Sequence, residues 1–294
     1  MTDFAKTLFI LNPKSGTQSR LNIPELIAQH LPAGSFELKF TEYAGHATKL
    51  AREGAKAGFR TVAAVGGDGT VNEVATGLLG TQAALAIIPK GSGNGLARHL
   101  NIPLLTLKAL DIIKTPQFSR IDTCAINGHP FFCTAGLGFD GYISSVFAGN
   151  TKRGLRSYVE LVLKEFMKFQ GGQATIKFNQ ESLETPCFVL AFGNASQYGN
   201  NAYIAPMADI RDGLLDVCLI RDLSIMKAVA VSYGLLTKQI ATTGHAEFFT
   251  SQEIVVKTEK PMPYHADGEY IGEASEFHVT INPLSLEVLV PPTV

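Results

Sequence analysis

At 294 residues, with 46% hydrophobic and 17% charged residues, the chain is long enough for two domains and too apolar to be disordered. Its formal net charge of −1 excludes the global basic field of a nucleic-acid-binding protein. No run approaches the ~18 apolar residues that cross a bilayer, and the first residues carry neither a basic nor a long apolar leader. A cytoplasmic protein with at most peripheral membrane contact is therefore expected.

In chain order, apolar runs at Leu8–Leu11, Phe36–Phe40, Thr61–Val65 and Leu85–Ile88 have strand length and end in turn residues. Helical spacing fills the gaps. Ile23, Leu26, Ile27 and Leu31 share a face behind a cap at Asn22; Ala47, Leu50 and Ala51 share another; Val71, Val74, Ala75 and Leu78 form a third. This alternation predicts a doubly wound α/β domain, with ligand loops at the carboxyl ends of its strands.

Beyond residue ~120 the rhythm changes. Asn127-Gly128 separates Asp122–Ile126 from Phe131–Thr134, a hairpin signal. Strands are predicted at Ala174–Phe178, Phe188–Phe192, Leu214–Ile220, Glu253–Lys257 and Phe277–Ile281, with helices near Tyr158–Phe169 and Ser224–Leu236. The expected division is 1–122 for the α/β domain and 123–285 for a β-rich one. The four cysteines, Cys124, Cys133, Cys187 and Cys218, stand singly in apolar stretches without a CxxC pair, as reduced core thiols do.

The chemistry-bearing segments are glycine turns. Gly66-Gly67-Asp68-Gly69-Thr70-Val71-Asn72-Glu73 follows one predicted strand and opens a helix, whose free N–H groups favour an anion such as phosphate. Asp68 is then a candidate for handling metal-bound phosphate, or simply the cap of a strand-to-helix turn. Lys90-Gly91-Ser92-Gly93-Asn94-Gly95 follows another strand, and Asn12-Pro13-Lys14-Ser15-Gly16 ends the first. In one parallel sheet the three turns converge. Gly136-Leu137-Gly138-Phe139-Asp140-Gly141 fits a dinucleotide fingerprint, but it follows a hairpin, and the downstream Glu160 falls within a helical stretch. His265-Ala266-Asp267-Gly268-Glu269 reads as a base-bearing turn or, more readily, as an exposed Asp-Gly hairpin. Asp209, Asp212 and Asp216 around Gly213 read as oxygen ligands for a divalent ion or as a solvated turn.

Taken together and in this order, Asn12–Gly16, Gly66–Glu73, Gly91–Asn94, Asp212-Gly213-Leu214-Leu215-Asp216 and Asp267-Gly268-Glu269 resemble the diacylglycerol kinase catalytic family, which includes bacterial lipid kinases, sphingosine kinases and ceramide kinases. The resemblance implies an α/β nucleotide domain and a β-sandwich domain with ATP in the cleft between them, and a last strand, Leu286–Val290, returning to the first domain (286–294). It implies that Asn12, Thr41, Gly66, Gly67, Asp68, Gly69, Thr70, Asn72 and Glu73, with Gly91, Ser92, Gly93 and Asn94 opposite, hold ATP. Glu269 resembles the general base, with Asp267 beside it and Asp68 as the third catalytic carboxylate. Asp209, Asp212 and Leu214 resemble a Mg²⁺ loop.

The implied activity is transfer of the γ-phosphate of MgATP to a lipid hydroxyl, as in diacylglycerol, at a membrane surface. Lys152-Arg153-Gly154-Leu155-Arg156 offers charge for anionic headgroups or a solvated helix start. Ser92 and Gly95 depart from the diacylglycerol kinase pattern toward the sphingosine kinase one, so a sphingoid base is the alternative acceptor. NAD kinase and a silent lipid- or nucleotide-binding module are the remaining rivals. The oligomeric state is left open, a homodimer included.

Overall fold

The computed structural model describes residues 6–15, 22–148 and 155–292; Gly16 lies outside the described residues, as does the basic segment 152–156 in its side chains. The chain forms two compact units. One runs to Ile121 and resumes at Leu284; the other is Asp122–Pro283.

The first unit contains β1 (Thr7–Leu11), α1 (Ile23–His30), β2 (Phe36–Phe40), α2 (His46–Lys56), β3 (Thr61–Gly66), α3 (Asp68–Leu78), β4 (Ala84–Pro89), α4 (Gly95–His99) and α5 (Thr106–Lys114). Its strands pair in parallel in the order β4-β3-β1-β2. Every residue of β1, β3 and β4 is buried, the mark of strands covered on both faces, whereas β2 at the edge is only half-buried. The predicted helical faces are the ones that pack: Ile23 and Ile27 of α1, Ala47, Leu50 and Ala51 of α2, Val71, Val74, Ala75 and Leu78 of α3. Asn22 caps α1 by accepting from the Glu25 N–H at 3.4 Å.

The second unit brings β5 (Gln117–Ile126), β6 (His129–Phe131), β7 (Thr134–Gly138), α6 (Phe139–Ala148), α7 (Leu155–Glu165), β8 (Gly172–Phe178), β9 (Glu181–Cys187), β10 (Val189–Gly193), β11 (Leu215–Ile220), α8 (Ile225–Thr237), β12 (Glu247–Ser251), β13 (Glu253–Ala266) and β14 (Glu269–Val290). Strands β12-β11-β10-β7-β13 form an antiparallel run, and β13 also pairs with β8 and β14. Strand alternation divides the core. Leu190, Phe192, Val217 and Leu219 face a strand-on-strand layer with Phe131, Leu137, Ile176, Phe277 and Val279. Val189, Ala191, Cys218 and Ile220 face the opposite way, against Phe139 and Ile143 of α6 and Val231 of α8. All four cysteines are free and buried, and burial pushes the thiols of Cys187 and Cys218 up to about 12.

The last part of β14 belongs with the first unit: Val288 pairs in parallel with Leu85 of β4. The Asn127-Gly128 turn closes a two-residue hairpin, Ile126 opposite His129, with φ of 48° and 79°. The expected strand Phe131–Thr134 is broken, however. The N–H groups of Phe132, Cys133 and Thr134 bond to a carboxylate instead of a ladder, that of Asp267.

Candidate active site

Within the first unit, the turns after β1, β3 and β4 are tied into one assembly. The Asn12 N–H donates to Val65 O at 3.1 Å and its side chain to Thr70 Oγ1 at 3.1 Å. The Lys90 N–H donates to Gly66 O at 2.7 Å, and the Thr41 N–H donates to Leu11 O at 2.9 Å. The turns of Gly67 and Gly91 touch: a Cβ on Gly91 would stand 2.7 Å from the Gly67 Cα, so only glycine allows this approach.

Asp68 fastens the two turns. Its carboxylate accepts the N–H groups of Asn94 at 2.9 Å and Gly95 at 2.8 Å. Burial holds this carboxyl above its ordinary range, although those two N–H groups and Arg98 pull it down. Asn94, left-handed at φ 52°, bonds back onto Gly91 through both ends of its amide, at 2.9 and 2.7 Å. Gly67, the N-cap of the eleven-residue helix α3, has no side chain to bond the first-turn N–H groups, and Asp68 is the acidic residue of that turn. Lys90, Gly91, Ser92, Asn94 and Arg98 also line a cavity of ≈530 Å³, closed on its other side by Leu26 of α1 and by residues 104–108 at the start of α5, with no residue of α3 in its lining. Burial lowers the pKa of Lys90.

Two residues of the expected nucleotide set make hydrogen bonds to helix groups. The Glu73 carboxylate accepts the N–H groups of Gly45 at 2.9 Å and Ala47 at 3.0 Å, capping α2. Asn72 accepts from the Thr76 hydroxyl along α3 at 3.4 Å. Gly69, Thr70 and Gly93 remain in the turn assembly, Gly93 through its carbonyl, which accepts from Arg98 Nε at 2.9 Å.

Within the second unit, Asp267 and Gly268 form the tight turn from β13 to β14, with φ of 47° and 81°. Besides accepting Phe132 N–H at 3.0 Å, Cys133 N–H at 2.8 Å and Thr134 N–H at 3.1 Å, Asp267 donates its own N–H to Thr134 O at 2.8 Å. Its carboxylate is committed to holding backbone. Glu269, the next acidic residue, is exposed.

In the loop before β11, Asp209 and Asp212 each accept one backbone N–H, from Arg211 at 3.1 Å and Leu214 at 2.9 Å. Burial, with the charges of Asp212 and Asp209, pushes the nearby Asp216 carboxyl up to about 6. These crowded carboxylates and the Leu214 carbonyl are hard oxygen donors of the type Mg²⁺ takes. Among the described residues no three His, Cys, Asp or Glu side chains cluster as a ligand set, so an ion here would rest partly on backbone carbonyls.

Sequence reasoning misses Asp122. Its buried carboxylate accepts the Gly213 N–H at 2.8 Å, while Asn194 Nδ2 donates to the Asp122 carbonyl at 3.0 Å, bracing the Asp209–Leu214 loop. An aspartate inside an otherwise apolar strand run is the signal that could have found it.

Residues 6–126 match the diacylglycerol kinase catalytic domain, and 134–290 match the YegS C-terminal NAD kinase beta sandwich-like domain. A protein of Chromohalobacter salexigens named "Probable lipid kinase YegS-like" is 30% identical over 271 residues, 90% of this chain and 86% of its own. The crystal structure of a diacylglycerol kinase from Bacillus anthracis superposes with a TM-score of 0.74 at 21% identity, covering 99% of both chains. An NAD kinase from Archaeoglobus fulgidus in complex with ATP reaches 0.52 at 12% identity, over 96% of this chain and 92% of its own, a likeness of fold. The chain thus belongs to the lipid kinases that join a diacylglycerol kinase catalytic domain to a YegS-type β-sandwich domain.

Proposed function

We propose that this lipid kinase transfers the γ-phosphoryl group of MgATP to a hydroxyl of a lipid such as diacylglycerol at a membrane surface. The observation that carries the reading is the contact between the Gly67 and Gly91 turns at the start of α3, locked by Asp68. Paired glycine turns let backbone N–H groups approach phosphate oxygens without side-chain interference, and the helix dipole favours the negative charge. Asp68 acts there by holding the two turns in register. The Asp212 carboxylate with the Asp209 and Leu214 carbonyls would hold Mg²⁺, which would supply charge neutralisation there.

The lipid hydroxyl oxygen bonds to the γ-phosphorus as the bond to the β–γ bridging oxygen breaks, releasing ADP. The hydroxyl proton passes to a carboxylate. Because Asp267 already receives three backbone N–H groups, Glu269 is the better acceptor. Exposed apolar side chains support contact with a lipid surface: Ile225, Met226, Val229, Tyr233 and Leu236 on α8, Leu163 on α7 and Met167 just beyond it. Among the described residues no helix is long and apolar enough to cross a membrane.

The test is incubation with labelled ATP and mixed micelles of diacylglycerol or sphingosine, alongside NAD in solution. Label in diacylglycerol is expected; label in sphingosine alone would move the acceptor to a sphingoid base, and label in NAD alone would overturn the reading. Glu269→Gln is expected to lower kcat about 10²–10⁴-fold with little change in the KM for ATP.

A further inference from the structure

Behind the Asp267-Gly268-Glu269 turn lies a line of three polar side chains, one buried and two partly buried, that the mechanism above does not use. His265, near the end of β13, is 1% exposed. Its Nδ1 accepts the Gly268 N–H at 3.1 Å, so that nitrogen carries no proton and the neutral ring holds its hydrogen on Nε2. Nε2 lies 2.9 Å from Asp140 Oδ2 but off the axis of a hydrogen bond, which makes the pair an electrostatic contact. The same Asp140 oxygen accepts the Tyr198 hydroxyl at 2.8 Å. Asp140 is on the first turn of α6 and Tyr198 is in the loop after β10, so three separate elements converge on one imidazole. Room for them exists because β7 carries glycine here: a Cβ on Gly136 would stand 2.3 Å from Asp140 Oδ2 and 3.1 Å from His265 Nε2.

The chemistry of such a line is orientation. A carboxylate beside Nε2–H favours the tautomer whose lone pair is on Nδ1, and that lone pair holds the Gly268 N–H. Gly268 is the residue between Asp267 and Glu269. Asp267 fixes one side of the turn to Phe132, Cys133 and Thr134, while His265 fixes its centre. Released from either anchor, the backbone that carries Glu269 gains freedom.

We propose that His265 is a positioning residue for phosphoryl transfer. It holds the turn that presents Glu269, and Asp140 and Tyr198 set its tautomer. The proposal rests on the reading of Glu269 as the proton acceptor. Misplacement of a reacting group by about 1 Å costs on the order of 10²-fold in rate, which bounds the effect.

The experiment measures kcat, KM for ATP and the melting temperature for His265→Ala, His265→Asn and Tyr198→Phe, and for His265→Ala combined with Glu269→Gln. His265→Ala is expected to lower kcat about 10–100-fold at unchanged KM for ATP. His265→Asn is expected to recover most of that loss, because its amide oxygen falls near the Nδ1 position and accepts the Gly268 N–H. Tyr198→Phe, which removes one hydroxyl, should give a smaller loss of kcat. Combined with Glu269→Gln, His265→Ala should add almost nothing to the loss of kcat.

If His265→Ala does not fold, the asparagine and Tyr198→Phe variants decide: unchanged kcat in Tyr198→Phe together with a dead asparagine variant overturns the proposal. So does a His265→Ala enzyme with unaltered kcat, or losses that multiply in the double variant. A mild Glu269→Gln with an impaired, asparagine-rescued His265→Ala would instead remove Glu269 as the base and leave His265 positioning the turn for another group.

Discussion

Among the described residues, several acidic side chains direct their carboxylates at backbone N–H groups far away in sequence: Asp68 at Asn94 and Gly95, Glu73 at Gly45 and Ala47, Asp122 at Gly213, and Asp267 at Phe132, Cys133 and Thr134. A motif shows that an acid is present; it does not show where its oxygens point, because these partners lie 26 to 135 residues away in sequence. Asp267 illustrates the difference. Asparagine there keeps one acceptor and turns an amide donor toward the Phe132–Thr134 N–H groups. Removing a partner from buried polar groups costs about 1–3 kcal/mol. Asp267→Asn is therefore expected to lower stability by about that amount in urea unfolding and to lower kcat, whereas Glu269→Gln should leave stability unchanged. Equal stability of the two variants would contradict the holding role of Asp267.

Elements buried on both faces are the legible ones. The apolar runs of β1, β3 and β4 read directly as parallel strands, and the 3.6-residue spacing of α2 and α3 marks the face that packs. What escapes notice has an interrupted signal. Strand β9 is polar and contains Pro186, β12 is largely exposed with polar ends at Glu247 and Ser251, and α6 begins in a glycine-rich stretch that imitates a nucleotide turn. Glu73 belongs to this scale, because it joins the body of α3 to the start of α2. The N-cap of α2 is Gly45, which has no side chain to accept a bond, and Glu73 supplies the missing acceptor from the neighbouring helix. Glu73→Ala should cost about 1–2 kcal/mol, a fall in Tm of about 2–8 °C, while calorimetry shows ATP affinity retained. Lost affinity at unchanged Tm would return Glu73 to the nucleotide.

The whole molecule places one unit inside the sequence of the other. The chain leaves the first unit after Ile121 and rejoins it at Leu284, where Leu286, Val288 and Leu289 are all buried. Burying each such side chain contributes about 1.5–3 kcal/mol, and three of them rival the ~5–15 kcal/mol total stability of an ordinary domain. Removal of residues 284–294 is thus expected to unfold the first unit and abolish ATP binding, seen as loss of its melting transition and of the calorimetric signal. An unshifted transition would show that β4 does not depend on the returning strand. The two-part α/β and β-rich character is legible from the change of rhythm near residue 120, since it follows from local patterning. The Val288–Leu85 pairing is not local, and only family resemblance points to it.

That pairing has a consequence in time. A ribosome completes β4 at Pro89 and reaches Val288 about 200 residues later, which at about 5–20 residues per second takes roughly 10–40 s. Throughout that interval one edge of β4, a run of six buried residues in the finished protein, lacks the neighbour it will eventually have. An open apolar strand edge is a template for pairing with other chains. Asp122–Pro283 is contiguous and can fold as it emerges, but the half that carries the glycine turns must wait for the chain to come back. Pauses in translation between residues 90 and 283 lengthen the wait, so aggregation during synthesis should depend on elongation rate more than on the stability of the finished enzyme.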